Sequence, residues 1–369
     1  MRFDEKKYND VLTDAFEKNK HMKPSFVSLI SLVPEKGEKY VATVLCKNKS
    51  GRDVCICINN SASKTLLYYS DDGTIEYIGN LTEPDHSYTG GCYYIEDGCV
   101  YGFPRNSNKL LKISVDEKSI DEIDIGLDAS ADIADRKPSL GHHYGGVLVG
   151  DNLICPPRAS KYVLIIDIKN HSHKKIYNQI FESHHYNCAV LHPNGKVYFT
   201  PMQGSSVAEF DPQSEDIRLV GERVPAALFS GTVYTDGCIY CFSQHEGGLF
   251  RVDAANNKCV LVKDKAGDVP IGGSYGAITH YNGKIYNIPG NTKHFFEYDP
   301  RTNESRAFCT FDDGRFNRDK WAGGALLPNG NIFLTPCKGR FAAELIFEGE
   351  PMISEEMNEM IRTEYFKAF

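Results

Sequence analysis

Short apolar runs separated by turn residues recur along the whole chain. Six segments repeat one pattern: GGCYYIEDGCVYGFPR, YGGVLVGDNLICPPR, CAVLHPNGKVYFTPM, GTVYTDGCIYCFSQH, GAITHYNGKIYNIPG and GGALLPNGNIFLTPC. Each reads as an apolar strand, a two-residue turn, and a second strand that in most copies ends at or near Pro. The turns are Asp97-Gly98, Gly150-Asp151, Asn194-Gly195, Asp236-Gly237, Asn282-Gly283 and Asn329-Gly330. Asn-Gly and Asp-Gly favour type I′ hairpins, in which both central residues take positive φ. The equivalent turn positions 98, 151, 195, 237, 283 and 330 are 53, 44, 42, 46 and 47 residues apart, the period of a four-stranded propeller blade.

Most copies continue with a third strand ending at an acidic turn (LIIDIKN, AEFDPQS, FRVDAAN, FEYDPRTN) and then a fourth strand. KYVATVLCKNKSGRDVCICINN, TLLYYSDDG and TIEYIGNL supply a more divergent first blade. The last copy, from Trp321 to about Glu350, has three clear strands, whereas Phe26–Val33 is a strand without a blade of its own. The expected fold is therefore all-β. One domain (1–369) forms a seven-bladed β-propeller over 25–350, and the N-terminal strand closes the last blade, removing open sheet edges. Helical extensions flank the ring. Within 1–24, Tyr8, Val11, Leu12, Ala15 and Phe16 share a face; within 351–369, Met357, Met360, Ile361 and Tyr365 do, with Ser354 as N-cap.

Charge narrows the list of partners. The 41 basic and 49 acidic residues leave a net charge of −8, which disfavours nucleic acid and anionic membrane surfaces. No apolar run approaches the ~20 residues of a membrane-spanning helix. The N-terminus lacks the apolar core of an export signal, so a cytoplasmic protein with its twelve cysteines reduced is expected. Cys55 and Cys57 share a strand face but fall short of a four-ligand site, and Cys238 and Cys241 point to opposite faces.

In a propeller, the loop entering each inner strand and the loop between strands two and three open on one face, around the channel mouth. An aromatic residue precedes the inner strand in six blades (Tyr88, Tyr144, Tyr186, Phe229, Tyr275 and Trp321), and a feature so regular is expected to pack between blades. The residues before it are irregular: His86-Ser87, His142-His143 and His184-His185 occupy three consecutive blades. Arg105 and Arg158 follow matched prolines in the second loops of blades 2 and 3, and Gln203 and His245 occupy those of blades 4 and 5. Guanidinium forks suit a carboxylate, sulfate or phosphate. The connection 127–141 leads into His142 and is a candidate lid.

His, Tyr and Arg around an open mouth suit proton transfer beside an anion. β-Elimination on a uronic acid uses this inventory: arginines neutralise the carboxylate, one His or Tyr removes the adjacent proton, and another protonates the leaving oxygen. On that reading His142, Tyr144, His184 and Tyr186 are catalytic candidates. Arg105, Arg158, His143, His185, Tyr88, Gln203, His245, Tyr275 and Trp321 are candidates for substrate contact. The expected partner is a small anionic oligosaccharide, with no cofactor required. Alternatively His86, His142 and His184, taken as one repeat position, would hold a divalent metal ion. A non-enzymatic propeller binding a protein or glycan through the same face is the competing class.

With phrases such as LPNGNIFLTP and YNGKIYNIPGNTKHFFEYDP, the chain resembles seven-bladed propellers, streptogramin-lyase-like ones among them, over about nine-tenths of its length. The His-His-Tyr sets with rim arginines look like the sites of propeller-fold polysaccharide lyases acting on uronate glycans. That second resemblance implies a lyase using His, Tyr and Arg, with a metal held by His and Gln in some members. It is a likeness of residue types rather than of an aligned motif.

Overall fold

A computed structural model describes residues 5–32, 39–82, 87–128, 141–202, 204–224, 229–245, 247–311, 319–338, 341–354 and 357. Seven four-stranded antiparallel sheets follow one another along the chain as blades 1 to 7. Their strands span 40–78, 88–124, 147–177, 186–220, 229–263, 274–310 and, for blade 7, 321–348 together with Lys23–Leu32. The N-terminal strand pairs antiparallel with Phe341–Glu348, from Lys23 opposite Glu348 to Leu32 opposite Phe341. The ring is thus closed by hydrogen bonds between the two ends of the fold. Each inner strand packs against the inner strands of both neighbouring blades, all the way round.

Local chemistry explains the blades. Inner and second strands are almost wholly buried, as in Tyr186–Leu191 and Val197–Pro201, whereas outer strands such as Ser119–Asp124 meet water. Close blade contact needs small residues: a Cβ on Gly231 would stand 2.3 Å from the backbone of Gly276 in the next blade. The acidic residue ending strand three caps its own turn. Asp167, Asp211, Asp253 and Asp299 each accept a backbone N–H two or three residues on, at 2.9–3.0 Å. Between strands one and two, only Asp236-Gly237 has two positive φ angles; at Asn194, Asn282 and Asn329 the glycine alone does. Those turns are a residue longer than a type I′ hairpin: His192 N–H reaches Lys196 O, and Gly195 N–H reaches His192 O. The spacing of the blades is as the sequence predicts; the type I′ turn forms at Asp236-Gly237, and a longer turn replaces it at the three Asn-Gly sites.

The helix Glu5–Asn19 lies across the turns of blades 5 to 7, on the face opposite the expected mouth. Leu12 and Ala15 are buried, Phe16 packs over Gly283, and Glu17 approaches Arg301. Asn19 ends the helix by donating to Ala15 O and holds Met352 through both its backbone groups. Of the C-terminal helix, Ser354 Oγ accepts the Met357 N–H at 3.1 Å; the rest lies outside the described residues. All twelve cysteines are free thiols, nine of them buried.

Candidate functional site

Backbone pairing fixes which residues are equivalent. Each inner strand begins at a residue opposite the end of strand two: Tyr40 with Asn59, Tyr88 with Pro104, Tyr186 with Pro201, Phe229 with Ser243, Ser274 with Pro289 and Trp321 with Pro336. In blade 3 the partner of Pro157 is His143, not Tyr144. The carbonyl just before this position accepts the N–H following strand two: Ser87 from Arg105, His142 from Arg158, His185 from Met202, Gly273 from Gly290 and Lys320 from Cys337. Blade 3 is therefore displaced by one residue against the sequence alignment. Arg105 and Arg158 are equivalent, as expected. His142 corresponds to Ser87 and His185, whereas His184 corresponds to Gly141.

This register corrects the proposed metal set, because His142 and His184 do not share a repeat position. His86 lies outside the described residues, as does Gln203, and among the described residues no three His, Cys, Asp or Glu converge on a common point. It also separates packing from function. Tyr88, Tyr186 and Trp321 are buried core residues at the strand-start position. Tyr88 donates to Glu122 and shares a hydrogen bond with the Ser107 hydroxyl, Tyr186 packs on Phe181 and Phe199, and Trp321 Nε1 donates to Phe341 O at 3.0 Å. His143 is 1% exposed, with Nδ1 3.2 Å from Pro156 O and its ring against Tyr162. Burial pushes its pKa down to about 3, so it is a neutral core imidazole occupying an aromatic position. His185 is buried beside Ser205, and His245 is exposed on the loop of blade 5. This burial argues against substrate contact through Tyr88, His143 or Trp321 and against a catalytic role for Tyr186.

The structure does bring Arg105, Arg158 and Tyr144 together. Displaced by one residue, Tyr144 leaves the packing layer and lies beneath both guanidiniums, with ring centroid to Cζ distances of 5.6 Å for Arg105 and 4.4 Å for Arg158. Gly141, with φ +79°, leaves room for the Arg105 stem: a Cβ there would stand 2.6 Å from Cγ. Half-buried Arg158 has no hydrogen-bond or ion-pair partner for Nε or Nη1 among the described residues. Burial, reinforced by the Arg105 charge, pulls its pKa down to about 10. Burial raises the Tyr144 phenol, against the opposing pull of Arg158 and Arg105.

His142 bridges the two blades through its backbone, donating to Arg105 O and accepting from Arg158, both at 3.0 Å. Its buried Nδ1 has no partner among the described residues, and burial lowers its pKa despite Asp128. His184 sits at the end of a short 3₁₀ turn, Gln179–Glu182, with Nδ1 near Ser183 Oγ and Ile180 O and with Nε2 unpartnered among the described residues. Burial lowers its pKa too. Both imidazoles are thereby kept neutral at pH 7.

Blade 6 carries opposite electrostatics at the matching repeat positions. Tyr275 occupies the same register position as Tyr144, one residue past the strand start. Its ring lies over Gly290, the equivalent of Arg158, and its hydroxyl donates to Asp319 Oδ1 at 2.5 Å. Asp319 is also paired with Lys338. Burial and the Asp319 carboxylate raise the Tyr275 phenol well above its ordinary value. The Asp319–Tyr275 pair was missed in sequence because the partners are 44 residues apart.

By fold the protein is a seven-bladed β-propeller, and several solved propellers superpose on it. A streptogramin B lyase superposes with a TM-score of 0.67 at 11% identity, covering 88% of this chain and 98% of that one. A catalytically inactive virginiamycin B lyase from Staphylococcus aureus with quinupristin gives 0.66 at 11% identity, with the same coverage. Hydrazine synthase from Kuenenia stuttgartiensis gives 0.59 at 10% identity over 81% of this chain and 94% of that one. At such identities the likeness is one of fold alone. No family model matches the chain, and no curated protein matches it in sequence.

Proposed function

We propose that the protein is a lyase acting by β-elimination on an anionic, uronate-containing oligosaccharide bound at the channel mouth. The observation that carries this reading is the guanidinium pair over Tyr144, with Arg158 half-buried and lacking a counter-charge among the described residues. Two cations held in one recess favour an anion, and a planar carboxylate matches their forks. With the carboxylate held there, the neutral His142 imidazole takes the proton from the adjacent carbon. The freed electron pair becomes the new C=C bond and the C–O bond to the leaving sugar breaks. Tyr144, protonated at neutral pH, gives its proton to that oxygen, and the arginines stabilise the phenolate that remains. On this reading His184, whose Nε2 has no partner among the described residues, contacts the neighbouring sugar. No step requires a metal ion. Twelve free thiols support a reducing, cytoplasmic setting.

The test is incubation with a panel of oligouronides, following absorbance of the unsaturated product. Turnover that falls at least ~100-fold in His142→Ala and Tyr144→Phe, with folding intact, supports the assignment. Absence of product from every uronate refutes it. Saturable oligouronide binding without product would instead identify a non-enzymatic glycan-binding propeller.

A further inference from the structure

Strands two, three and four of several blades place matched residues in line. Tyr198, Glu209 and Arg218 face one another in blade 4, and Tyr286, Glu297 and Arg306 do so in blade 6. In both, the arginine grips the glutamate through Nε and Nη2, and the tyrosine donates to it. Blade 2 reverses the charge: Lys112 stands between Tyr101 and Asp121 and is held at 3.1 Å by Asp97 of its own hairpin. Blade 5 has Tyr240, Arg251 and Val260 at these positions. Half-buried Arg251 has no hydrogen-bond partner for its buried Nε, and no ion pair, among the described residues. Asp236, which matches Asp97, is exposed on the turn, and Asp253 is taken up by the Asn256 backbone and side-chain N–H groups.

The strand beside Arg251 has the makings of a docking edge. Lys258–Lys263 is the outermost strand of blade 5, with no further strand paired to it among the described residues. Natural sheets guard such edges with charged side chains, as blades 2 and 4 do at Asp121 and Arg218. In blade 5 the two central residues are instead apolar and exposed, Val260 at 38% and Leu261 at 51%, and as neighbours in a strand they point to opposite faces. Lys258 and Lys263 bound the strand, which contains no acid. With Arg251 they make a cationic stripe on a chain whose net charge is −8. A strand added to this edge would lie two strand spacings, roughly 10 Å, from Arg251, a gap that an arginine and a glutamate side chain span together.

We propose that the outer edge of blade 5 docks an extended acidic segment of a partner protein, whose carboxylate gives Arg251 the ion pair that blades 2, 4 and 6 form internally. Backbone pairing supplies affinity, Val260 and Leu261 supply apolar contact, and the arginine selects for acid. The probe is a fluorescein-labelled heptapeptide alternating Val and Glu, followed by anisotropy with the full chain; the same peptide with Gln for Glu is the control. The expected result is saturable one-to-one binding that is at least tenfold weaker for the Gln peptide and for Arg251→Met. Leu261→Asp, at an exposed position where folding is not at stake, should weaken binding as much. Equal binding of the two peptides, or binding unchanged in both folded variants, overturns the proposal. So does displacement of the peptide by single-stranded DNA of equal charge, which would make the stripe a general polyanion site. Arg251-dependent self-association in sedimentation would assign the edge to a second copy of this chain and overturn a separate partner.

Discussion

Replacing Arg158 by Met should make the protein more stable while abolishing its affinity for acidic sugars. The fall of the guanidinium pKa from 12.5 to about 10 corresponds to roughly 3 kcal/mol against the charged form in the fold. At pH 7 that penalty is fully present, because the pH is below both values; it is relieved only as pH rises through about 10. Two effects reduce what the substitution recovers. Part of the side chain reaches water and is screened, and the contact with Tyr144 is worth about 1 kcal/mol. Met keeps the apolar stem, so a net gain of about 1 kcal/mol is expected. Urea unfolding at pH 7, followed by circular dichroism, measures it. An oligouronide at 100 times its dissociation constant should add about 2.7 kcal/mol to the wild type and nothing to the variant. A variant destabilised by 1 kcal/mol or more would make Arg158 a structural residue. Equal stabilisation of both proteins by the sugar would remove it from the binding site.

Three further outcomes are expected. The acid limb of the pH–rate profile should lie below the ordinary histidine value of 6.5, since burial lowers the His142 pKa and the base must be neutral; a limb above that value would exclude His142. Glu297→Ala should cost about 3 kcal/mol in urea unfolding, because it strands Lys284, Tyr286 and Arg306 together. The Glu297 pKa is lowered in the fold, so the wild-type advantage should be full above about pH 4.3 and should disappear as pH falls through the lowered value; an advantage persisting in strong acid refutes the assignment. Thiol titration with an aromatic disulfide should label Cys238, Cys259 and Cys309 first, with all twelve reacting only after unfolding; rapid native labelling of Cys55 or Cys155 would contradict the packing.

The ring was legible because six of the seven blades mark their hairpin with Asn-Gly, Asp-Gly or Gly-Asp, and because Phe26–Val33 was a strand without a partner. The mouth was only partly legible. Arg105 and Arg158 follow equivalent prolines, and proline leaves a visible mark on strand ends. The displacement in blade 3 leaves none. His143 and Tyr186 both fill an aromatic-sized space, so His-His-Tyr looks the same whether its tyrosine packs or faces the channel. Only the pairing of His143 with Pro157 decides between them.

Closing the ring with the N-terminal strand also sets a timetable for synthesis. Lys23 leaves the ribosome roughly 320 residues before its partner Glu348, an interval of about 15 to 60 seconds at typical elongation rates. Throughout that interval Lys23–Leu32, which carries Phe26, Val27, Leu29 and Ile30, has no strand to pair with. The nascent chain must shield this segment from pairing with other chains. Aggregation during expression should therefore depend on this strand more than on any blade, and slower translation should worsen it.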